Sequence, residues 1–339
     1  MMIGIIFRGF IVCAALAPLL AGTAGCAHAR LAVAREALLE APPLPAGYQT
    51  SKDLQRDIQA GKLEFLGPQH VSISEATLVE NDIEYGRVGD HALLLNLFRP
   101  KEITKPVPGL VFIHGGGWEL KGKEFCTYWV ARYAARGYVC ATIEYRVSSE
   151  AAYPAAVEDA KCAVRWMRGN AVKYGVDPDK IGVIGMSAGG HLAMMCGYAS
   201  DVAELEGAGG HPGVSSRPQA VVTYYGPTDL TKLKEMDIVR RFLDNKTFEE
   251  APEMYAQASP ITHVTSDDPP TLIFHGTIDG IVPVEQSDAL AEKLDALGVP
   301  YVYDRQEGWD HVMDIVIEVS KRCLFIQDRF LDAFLPLPK

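Results

Sequence analysis

The chain has 339 residues, of which 48% are apolar and 9% aromatic, and its formal net charge is −11. This apolar content is enough to bury a large core, which excludes a disordered or fibrous protein. The acidic balance, together with the lack of a dense Lys/Arg cluster, excludes a surface that binds nucleic acid. We therefore expect one large globular domain.

Residues 1–29 differ from the rest of the chain and have the pattern of a secretory signal. Arg8 precedes an apolar run over 9–20, and Ala27-His28-Ala29 places small residues where signal peptidase cleaves. A second interpretation remains open, because Thr23-Ala24-Gly25-Cys26 resembles a lipoprotein box with lipidation at Cys26. The apolar run is shorter than the roughly 20 residues that cross a bilayer as a helix. We predict an exported protein (periplasmic, secreted or lipid-anchored) whose only membrane contact would be the lipid anchor.

Residues 30–74 are interpreted as a lead-in segment that packs on the surface of the main domain. Three prolines between positions 42 and 45 are followed by a polar stretch over 51–60 with helical character. We expect no separate domain in this segment, and we place the main domain at 75–339.

The pattern of the main domain predicts an α/β fold. Two extended runs, 76–85 and 92–98, flank a turn and predict an antiparallel hairpin. Short continuous apolar runs, typical of strands buried on both faces, follow at 109–113, 138–143, 181–184, 220–225 and 271–274. Helical patterns alternate with them, most clearly over 154–174. We expect a mainly parallel central sheet with helices on both faces, and a small cap or insertion near 228–261.

Ser187 lies in the run Gly185-Met186-Ser187-Ala188-Gly189, between the strand at 181–184 and a helical segment. A serine at such a corner is exposed at the end of the sheet, and the flanking glycines allow the tight turn. The pentapeptide alone occurs often by chance, but its place between strand and helix is specific. We predict that Ser187 is a catalytic nucleophile.

A glycine run, His114-Gly115-Gly116-Gly117-Trp118, follows the strand at 109–113. Acyl transfer produces an oxyanion that needs fixed donors, and a glycine run can direct backbone N–H groups at one point. An ordinary turn is the alternative interpretation. We predict an oxyanion hole formed by the amides of Gly116, Gly117 and Ala188.

A serine nucleophile needs a base, and nine histidines compete for this role. His311 follows the late extended run 301–305, which is where the order of serine, acid and histidine places the base. His191, His114 and His275 are interpreted as structural residues.

The acid that orients the histidine is predicted to be Asp279. It follows the strand at 271–274, so it reaches the same edge of the sheet as the nucleophile and the base. Asp310, Asp304 and Asp268 remain alternatives.

The seven cysteines include two in the leader, and none has the spacing of a zinc site. We expect no metal and no cofactor. A disulfide among the remaining five cysteines stays open, without an assigned pair.

Further short motifs accompany these residues. They are Glu144-Tyr145-Arg146, Tyr153-Pro154-Ala155 with Asp159, Gly190-His191-Leu192, Tyr225-Gly226-Pro227-Thr228-Asp229-Leu230, Ala258-Ser259-Pro260 and Val282-Pro283. With them, the chain from about residue 75 resembles the bacterial carboxylesterase, acetylesterase and feruloyl-esterase-like branch of the α/β-hydrolase serine esterases, related to the hormone-sensitive-lipase group. The resemblance implies the α/β-hydrolase fold and structural roles for Arg146 and Asp159. It also implies that Trp118 lines the acyl or alcohol pocket.

The chain departs from the family pattern at two places. The catalytic histidine of the family is usually preceded by Gly and followed by Gly-Phe, whereas His311 stands between Asp310 and Val312-Met313. Met186 replaces the acidic residue that the hormone-sensitive-lipase group tends to have before the nucleophile. These differences predict a changed pocket shape.

The resulting hypothesis is a serine carboxylic-ester hydrolase that uses a Ser-Asp-His triad and an acyl-enzyme. Short-chain, acetyl or feruloyl-type esters, either small molecules or linked to polysaccharide, are the expected substrates. An aryl-formamidase or a peptidase on the same scaffold, or a non-catalytic binding protein, are the alternatives.

Overall fold

The computed structural model describes residues 17–339 of the chain. Most of the predicted apolar run of the leader therefore lies outside the described residues, and the signal, lipidation and export hypotheses stay predictions. Within 17–339, no helix combines the length and the apolar character that a bilayer span needs.

The described chain alternates strands and helices. The strands are β1 (Thr77–Val88), β2 (His91–Pro100), β3 (Val107–Ile113), β4 (Val139–Ile143), β5 (Val176–Met186), β6 (Ala220–Tyr224), β7 (Thr271–Gly276) and β8 (Tyr301–Gln306). The helices are α1 (Ala17–Glu40), α2 (Ser51–Gln59), α3 (Thr127–Arg136), α4 (Ala155–Gly169), α5 (Ala171–Tyr174), α6 (Ala188–Tyr198), α7 (Asp237–Phe242), α8 (Pro252–Gln257), α9 (Pro260–His263), α10 (Glu285–Leu297) and α11 (Ile317–Phe334).

The strands form one eight-stranded sheet in the order β1-β2-β4-β3-β5-β6-β7-β8. β1 pairs antiparallel with β2, which confirms the predicted hairpin, and β2 pairs antiparallel with β4. All the other pairs are parallel. The carboxyl ends of β3, β5, β7 and β8 therefore meet at one edge, where polar loops can converge.

Both faces of the sheet are covered, as β3 illustrates. Side chains alternate between the faces of a strand, so Leu110 and Phe112 join one buried cluster while Val111 and Ile113 join another. Helices α3 and α11 contribute to the first cluster, and α4, α6 and α10 contribute to the second. This arrangement confirms the predicted α/β fold.

One predicted helix is wrong in its extent. The segment 154–174 forms two helices, α4 and α5, which are separated at Asn170. The side-chain amide of Asn170 donates to the carbonyl of Trp166 at 2.9 Å and so ends the first helix.

Outside the sheet, residues 30–40 belong to α1, which buries Ala34 and Ala37. The segment 228–261 contains α7, α8 and the beginning of α9.

The five cysteines of the main domain, Cys126, Cys140, Cys162, Cys196 and Cys323, are buried and free, so no two of them form a disulfide. Burial raises the pKa of the Cys126 and Cys196 thiols to about 12. Since the thiolate is the reactive form, these side chains behave as apolar core groups.

Candidate active site

Ser187 stands at the corner between β5 and α6, where the backbone turns sharply. Its φ of 55° and ψ of −121° lie in a region that L-residues rarely adopt, at a cost of about 1–3 kcal/mol. The flanking glycines allow the turn, because a Cβ on Gly185 would lie 2.0 Å from the carbonyl oxygen of Gly189. The corner presents the partly exposed hydroxyl at the carboxyl edge of the sheet.

The structure brings His311 and Asp279 to this hydroxyl from two other loops. His311 Nε2 lies 3.0 Å from Ser187 Oγ, and His311 Nδ1 lies 2.6 Å from Asp279 Oδ2. A carboxylate only accepts hydrogen bonds, so Nδ1 carries a proton and, in a neutral ring, the lone pair of Nε2 faces the hydroxyl. The three predicted residues thus form a continuous hydrogen-bonded chain.

Asp279 is held as an anion by several donors. Its Oδ1 accepts from the backbone N–H groups of Ile281 and Val282 at 2.9 and 2.8 Å. Burial raises the pKa of this carboxyl, but hydrogen bonds from His275 and His311 outweigh burial, and the pKa falls well below its usual value. The negative charge opposite His311 therefore persists across the working pH range of most enzymes.

The sequence did not predict the contact between His275 and Asp279. His275 is fully buried, and its Nε2 lies 3.2 Å from Asp279 Oδ2 and 2.8 Å from the carbonyl oxygen of Val282. Because a carbonyl oxygen only accepts, Nε2 carries a proton, while Nδ1 meets the hydroxyl of Ser287 at 2.7 Å. His275 and His311 therefore contact the same carboxylate oxygen, and His275 helps to hold Asp279 in place.

The three alternative acids, Asp310, Asp304 and Asp268, make other contacts. Asp310 Oδ1 accepts from the backbone N–H groups of His311 and Gly280 at 2.7 and 2.9 Å, so it ties the two loops together. Asp304 forms an ion pair with Arg322 at 2.7 Å. Asp268 accepts from the backbone N–H of Thr265 at 2.7 Å.

Two further histidines occupy structural positions, as predicted. His191 Nε2 lies 2.7 Å from the carbonyl oxygen of Ala258, and burial lowers the pKa of its ring to about 4. His114 stacks on Tyr145 with ring centroids 4.5 Å apart, and its Nδ1 lies 2.7 Å from the carbonyl oxygen of Gly115.

The glycine loop adopts a backbone that favours glycine. Gly116 and Gly117 have φ values of 110° and 60°, and a Cβ on Gly117 would lie 2.1 Å from Cδ1 of Ile238. The N–H groups of Gly116, Gly117 and Ala188 donate to no acceptor within residues 17–339. These donors lie beside Ser187, since all of these residues line the cavities around it.

A mainly apolar cavity of about 500 Å³ opens at Ser187 and His311. Its other walls are His114, Gly115, Gly116, Gly117, Phe125, Cys126, Trp129, Met186, Tyr225, Ile238, Ile281, Val312, Asp314 and Ile315. Met186 and Val312, two of the residues that depart from the family pattern, are therefore part of the wall.

Trp118 does not line this large cavity. It is buried, stacks on Phe242 at 4.5 Å, and borders a second cavity of about 40 Å³ that also reaches Ser187 and Ala188. Two cavities of very different volume thus meet at the hydroxyl.

Asp314 is a buried carboxyl in the wall of the large cavity, and no sequence pattern predicted it. The Tyr225 hydroxyl donates to its Oδ1, while its Oδ2 has no partner among the described residues. Burial raises the pKa of Asp314 from 3.8 to about 6. The Tyr225 ring lies 4.4 Å from the His311 ring, so this pair packs directly behind the histidine.

The loops beneath the site are supported by an ion pair. Arg146 Nη2 lies 2.7 Å from Oδ1 of the fully buried Asp159, and the backbone N–H of Arg146 donates to Oδ2 at 2.8 Å. These contacts agree with the structural roles expected for the two residues.

Residues 47–66, which we call the clasp, hold the loop of His311 from both sides. At one end, the Tyr48 N–H donates to the carbonyl of Gly308 at 2.7 Å, and the Tyr48 ring packs edge-on against Trp309. At the other end, the Leu66 N–H donates to the carbonyl of Ile315 at 2.7 Å. The lead-in is therefore attached to the loop that positions the proposed base.

Comparison with known proteins agrees with this geometry. The family model for BD-FAE matches residues 95–294, which is more than half of the chain. The chain belongs to the BD-FAE family. The matched segment contains Ser187 and Asp279. The clasp and His311 lie outside it.

Among curated relatives, esterase LipC of Mycobacterium tuberculosis is 36% identical over 67% of this chain and 58% of its own length. Esterase LipQ of the same organism is 32% identical over 71% of this chain and 59% of its own length. The chain thus spans a little under two thirds of the length of these relatives.

A solved structure, esterase 2 of Thermogutta terrifontis with butyrate bound, is similar to this chain with a TM-score of 0.66 and 28% identity. The similarity covers 78% of this chain and 97% of esterase 2. The same esterase has been solved phosphorylated by paraoxon. These likenesses agree with an α/β-hydrolase fold of the carboxylesterase type.

Proposed function

We propose that the protein is a serine carboxylic-ester hydrolase that works through an acyl-enzyme on Ser187. The observation that carries the proposal is the position of His311, 3.0 Å from Ser187 Oγ and 2.6 Å from Asp279 Oδ2. Both distances allow the hydrogen bonds that proton transfer requires. The esterase names of the relatives LipC and LipQ support the same activity.

In the first half-reaction, Ser187 Oγ attacks the carbonyl carbon of the ester while its proton passes to His311 Nε2. The electron pair of the carbonyl π bond moves onto oxygen, and Asp279 stabilises the positive imidazolium ring. When the tetrahedral intermediate collapses, the bond to the alcohol oxygen breaks. The alcohol leaves with the proton from Nε2.

The oxyanion is proposed to be held by the amides of Gly116, Gly117 and Ala188. Their N–H groups are free in the described chain, so binding the oxyanion breaks no existing hydrogen bond. Ala188 also begins α6, and the amino end of a helix favours negative charge. Each such donor contributes about 3 kcal/mol to the stabilisation of comparable transition states.

In the second half-reaction, water replaces the alcohol. His311 Nε2 takes a proton from the water as its oxygen attacks the acyl carbon, and then returns the proton to Ser187 Oγ as the acyl bond breaks. The products are a carboxylic acid and the free enzyme.

We assign the acyl chain to the large cavity and propose short straight-chain esters as the first substrates to test. The cavity of about 500 Å³ has mostly apolar walls and far exceeds the needs of an acetyl group. The butyrate-bound form of esterase 2 supports an acyl group of this kind. Each methylene that enters such a wall contributes about 0.8 kcal/mol, or roughly fourfold in kcat/KM.

The test is the hydrolysis of p-nitrophenyl esters from acetate to decanoate, beside acetylated xylan, methyl ferulate and an N-formyl anilide. We expect kcat/KM to rise from acetate until the cavity is full. The Ser187→Ala variant should lose about 10⁶-fold in kcat, whereas Ser200→Ala, a serine outside the site, should match the wild type.

Paraoxon gives an independent measurement of the nucleophile. We expect one phosphoryl adduct on Ser187 by mass spectrometry of the digested protein, and none in Ser187→Ala. A variant without Ser187 that retained wild-type turnover would refute the proposal.

A further inference from the structure

The mouth of the large cavity is ringed by exposed apolar side chains, which we call the rim. The rim consists of Leu120, Phe125, Ile281 and Val312, with exposed fractions of 59%, 63%, 54% and 39%. Contiguous exposed apolar surface on a protein marks a place where another apolar surface binds.

The rim is continuous with the cavity. Phe125, Ile281 and Val312 line the cavity itself, and Leu120 packs against Gly116, which is also in its wall. An apolar chain that touched the rim would therefore enter the cavity without leaving apolar contact. The rim comes from three separate loops, which follow β3, β7 and β8.

The backbone at Val312 adopts a strained conformation. Its φ of 61° is an uncommon conformation for a β-branched residue, which glycine or asparagine would adopt at a lower cost. The chain nevertheless presents a valine side chain there, exposed and beside the proposed base.

The charged groups that flank Leu120 are paired. Beside Leu120, Glu119 forms an ion pair with Arg241, and Lys121 forms one with Glu150. The whole chain carries a net charge of −11, which disfavours approach to an anionic bilayer. The expected partner of the rim is therefore an apolar surface without net charge.

We propose that the rim binds the surface of an aggregated uncharged ester, such as an emulsion droplet, and that the substrates of this site are apolar esters presented at that surface. The inference rests on the proposed function, because it assigns the acyl chain to the cavity behind the rim. A second copy of the chain and an anionic bilayer are the alternative occupants.

Binding is measured without turnover, with full-length chains that carry Ser187→Ala. Each chain is mixed with a tributyrin emulsion, and the fraction that floats with the droplets is quantified. The apolar run at 9–20 is present in every chain, so only differences between the variants report on the rim.

The rim variants are Phe125→Ser alone and Leu120→Ser with Phe125→Ser. The matched control is Val172→Ser, because Val172 is 99% exposed and lies in α5, before the amino end of β5. We expect the double variant to bind the droplets about 10-fold more weakly, the single variant to be intermediate, and the control to bind as the parent chain does.

Three results would overturn the inference. They are equal droplet binding by the rim variants and the parent chain, tighter binding to phosphatidylglycerol vesicles than to droplets, and a dimer in sedimentation that the rim substitutions dissociate. The last two would assign the rim to a bilayer or to a second copy.

The proposed function is tested separately with p-nitrophenyl butyrate below its solubility limit. If chains with an intact Ser187 bind droplets through the rim but hydrolyse neither the dissolved ester nor the tributyrin of the droplets, the proposed function fails and the surface interaction stands. If they hydrolyse the dissolved ester and ignore the droplets, the inference fails alone.

Discussion

Replacing Asp314 by Asn should remove a buried charge that weakens the folded state at neutral pH. In the wild type, burial raises the pKa of this carboxyl from 3.8 to about 6. The folded protein therefore holds the proton more tightly than the unfolded chain, and the wild type loses stability as the pH rises between these two values. The full difference between the two pKa values corresponds to about 3 kcal/mol of unfolding free energy.

The measurement is urea unfolding of the wild type and Asp314→Asn between pH 4.5 and 7.5. Over this range the free energy of unfolding of the wild type should fall by about 2 kcal/mol relative to that of the variant. All other titrating groups are shared, so they cancel in the difference. Tyr225→Phe removes a donor to Asp314 and should steepen the dependence.

A difference between wild type and Asp314→Asn that stays constant across this pH range would refute the reasoning. It would mean that the carboxyl titrates alike in the folded and unfolded states. The stability cost assigned to its burial behind His311 would then be wrong.

Three further substitutions test the supports of the site. Tyr48→Ala removes the edge-on contact with Trp309, so urea unfolding should show a loss of about 1–3 kcal/mol in unfolding free energy. Steady-state kinetics should show a fall in kcat with little change in KM. His275→Leu removes a donor to Asp279 and should lower kcat about 10-fold and unfolding free energy by about 2–4 kcal/mol; unchanged kcat would contradict the bracing role. Gly189→Ala would place a Cβ 2.1 Å from a backbone oxygen and should lower the melting temperature. Gly280→Ala is the control, because nothing lies closer than 3.9 Å to the Cβ that it adds. Equal melting temperatures of the two variants would contradict the steric argument.

The central sheet and the positions of Ser187, Asp279 and His311 could be predicted from the sequence. Each of the three residues follows a strand with a clear apolar or extended pattern, and parallel strands end at the same edge of a sheet. Local pattern and fold topology were sufficient for this part.

The supporting contacts could not be predicted in the same way. His275 meets Asp279 only because β7 and the following turn fold back on each other, and no pattern in the sequence distinguishes it from a packing residue. Asp314 follows His311 by three positions, yet its burial depends on walls supplied by distant segments. A contact made by a turn, or by side chains that are far apart in the chain, leaves no periodic signal.

The clasp is the clearest case of this kind. Its bridge between Phe65 and Val316 joins opposite ends of the chain, and the prolines and polar residues of the lead-in predicted only a surface segment. The same distance explains why α1 was not predicted, since its buried Ala34 packs in the core cluster on the face of the sheet that α11 covers.

The clasp also sets an order of events during synthesis. Residues 47–66 leave the ribosome early, but the loop they hold, from Gly308 to Val316, is among the last parts to be made. The clasp therefore has no loop to bind while the sheet between the two ends of the chain assembles, because contacts between distant parts of a chain form late. Ser187 and its glycine corner can fold before the chain is complete, whereas the environment of His311 is finished only when the first and last segments meet.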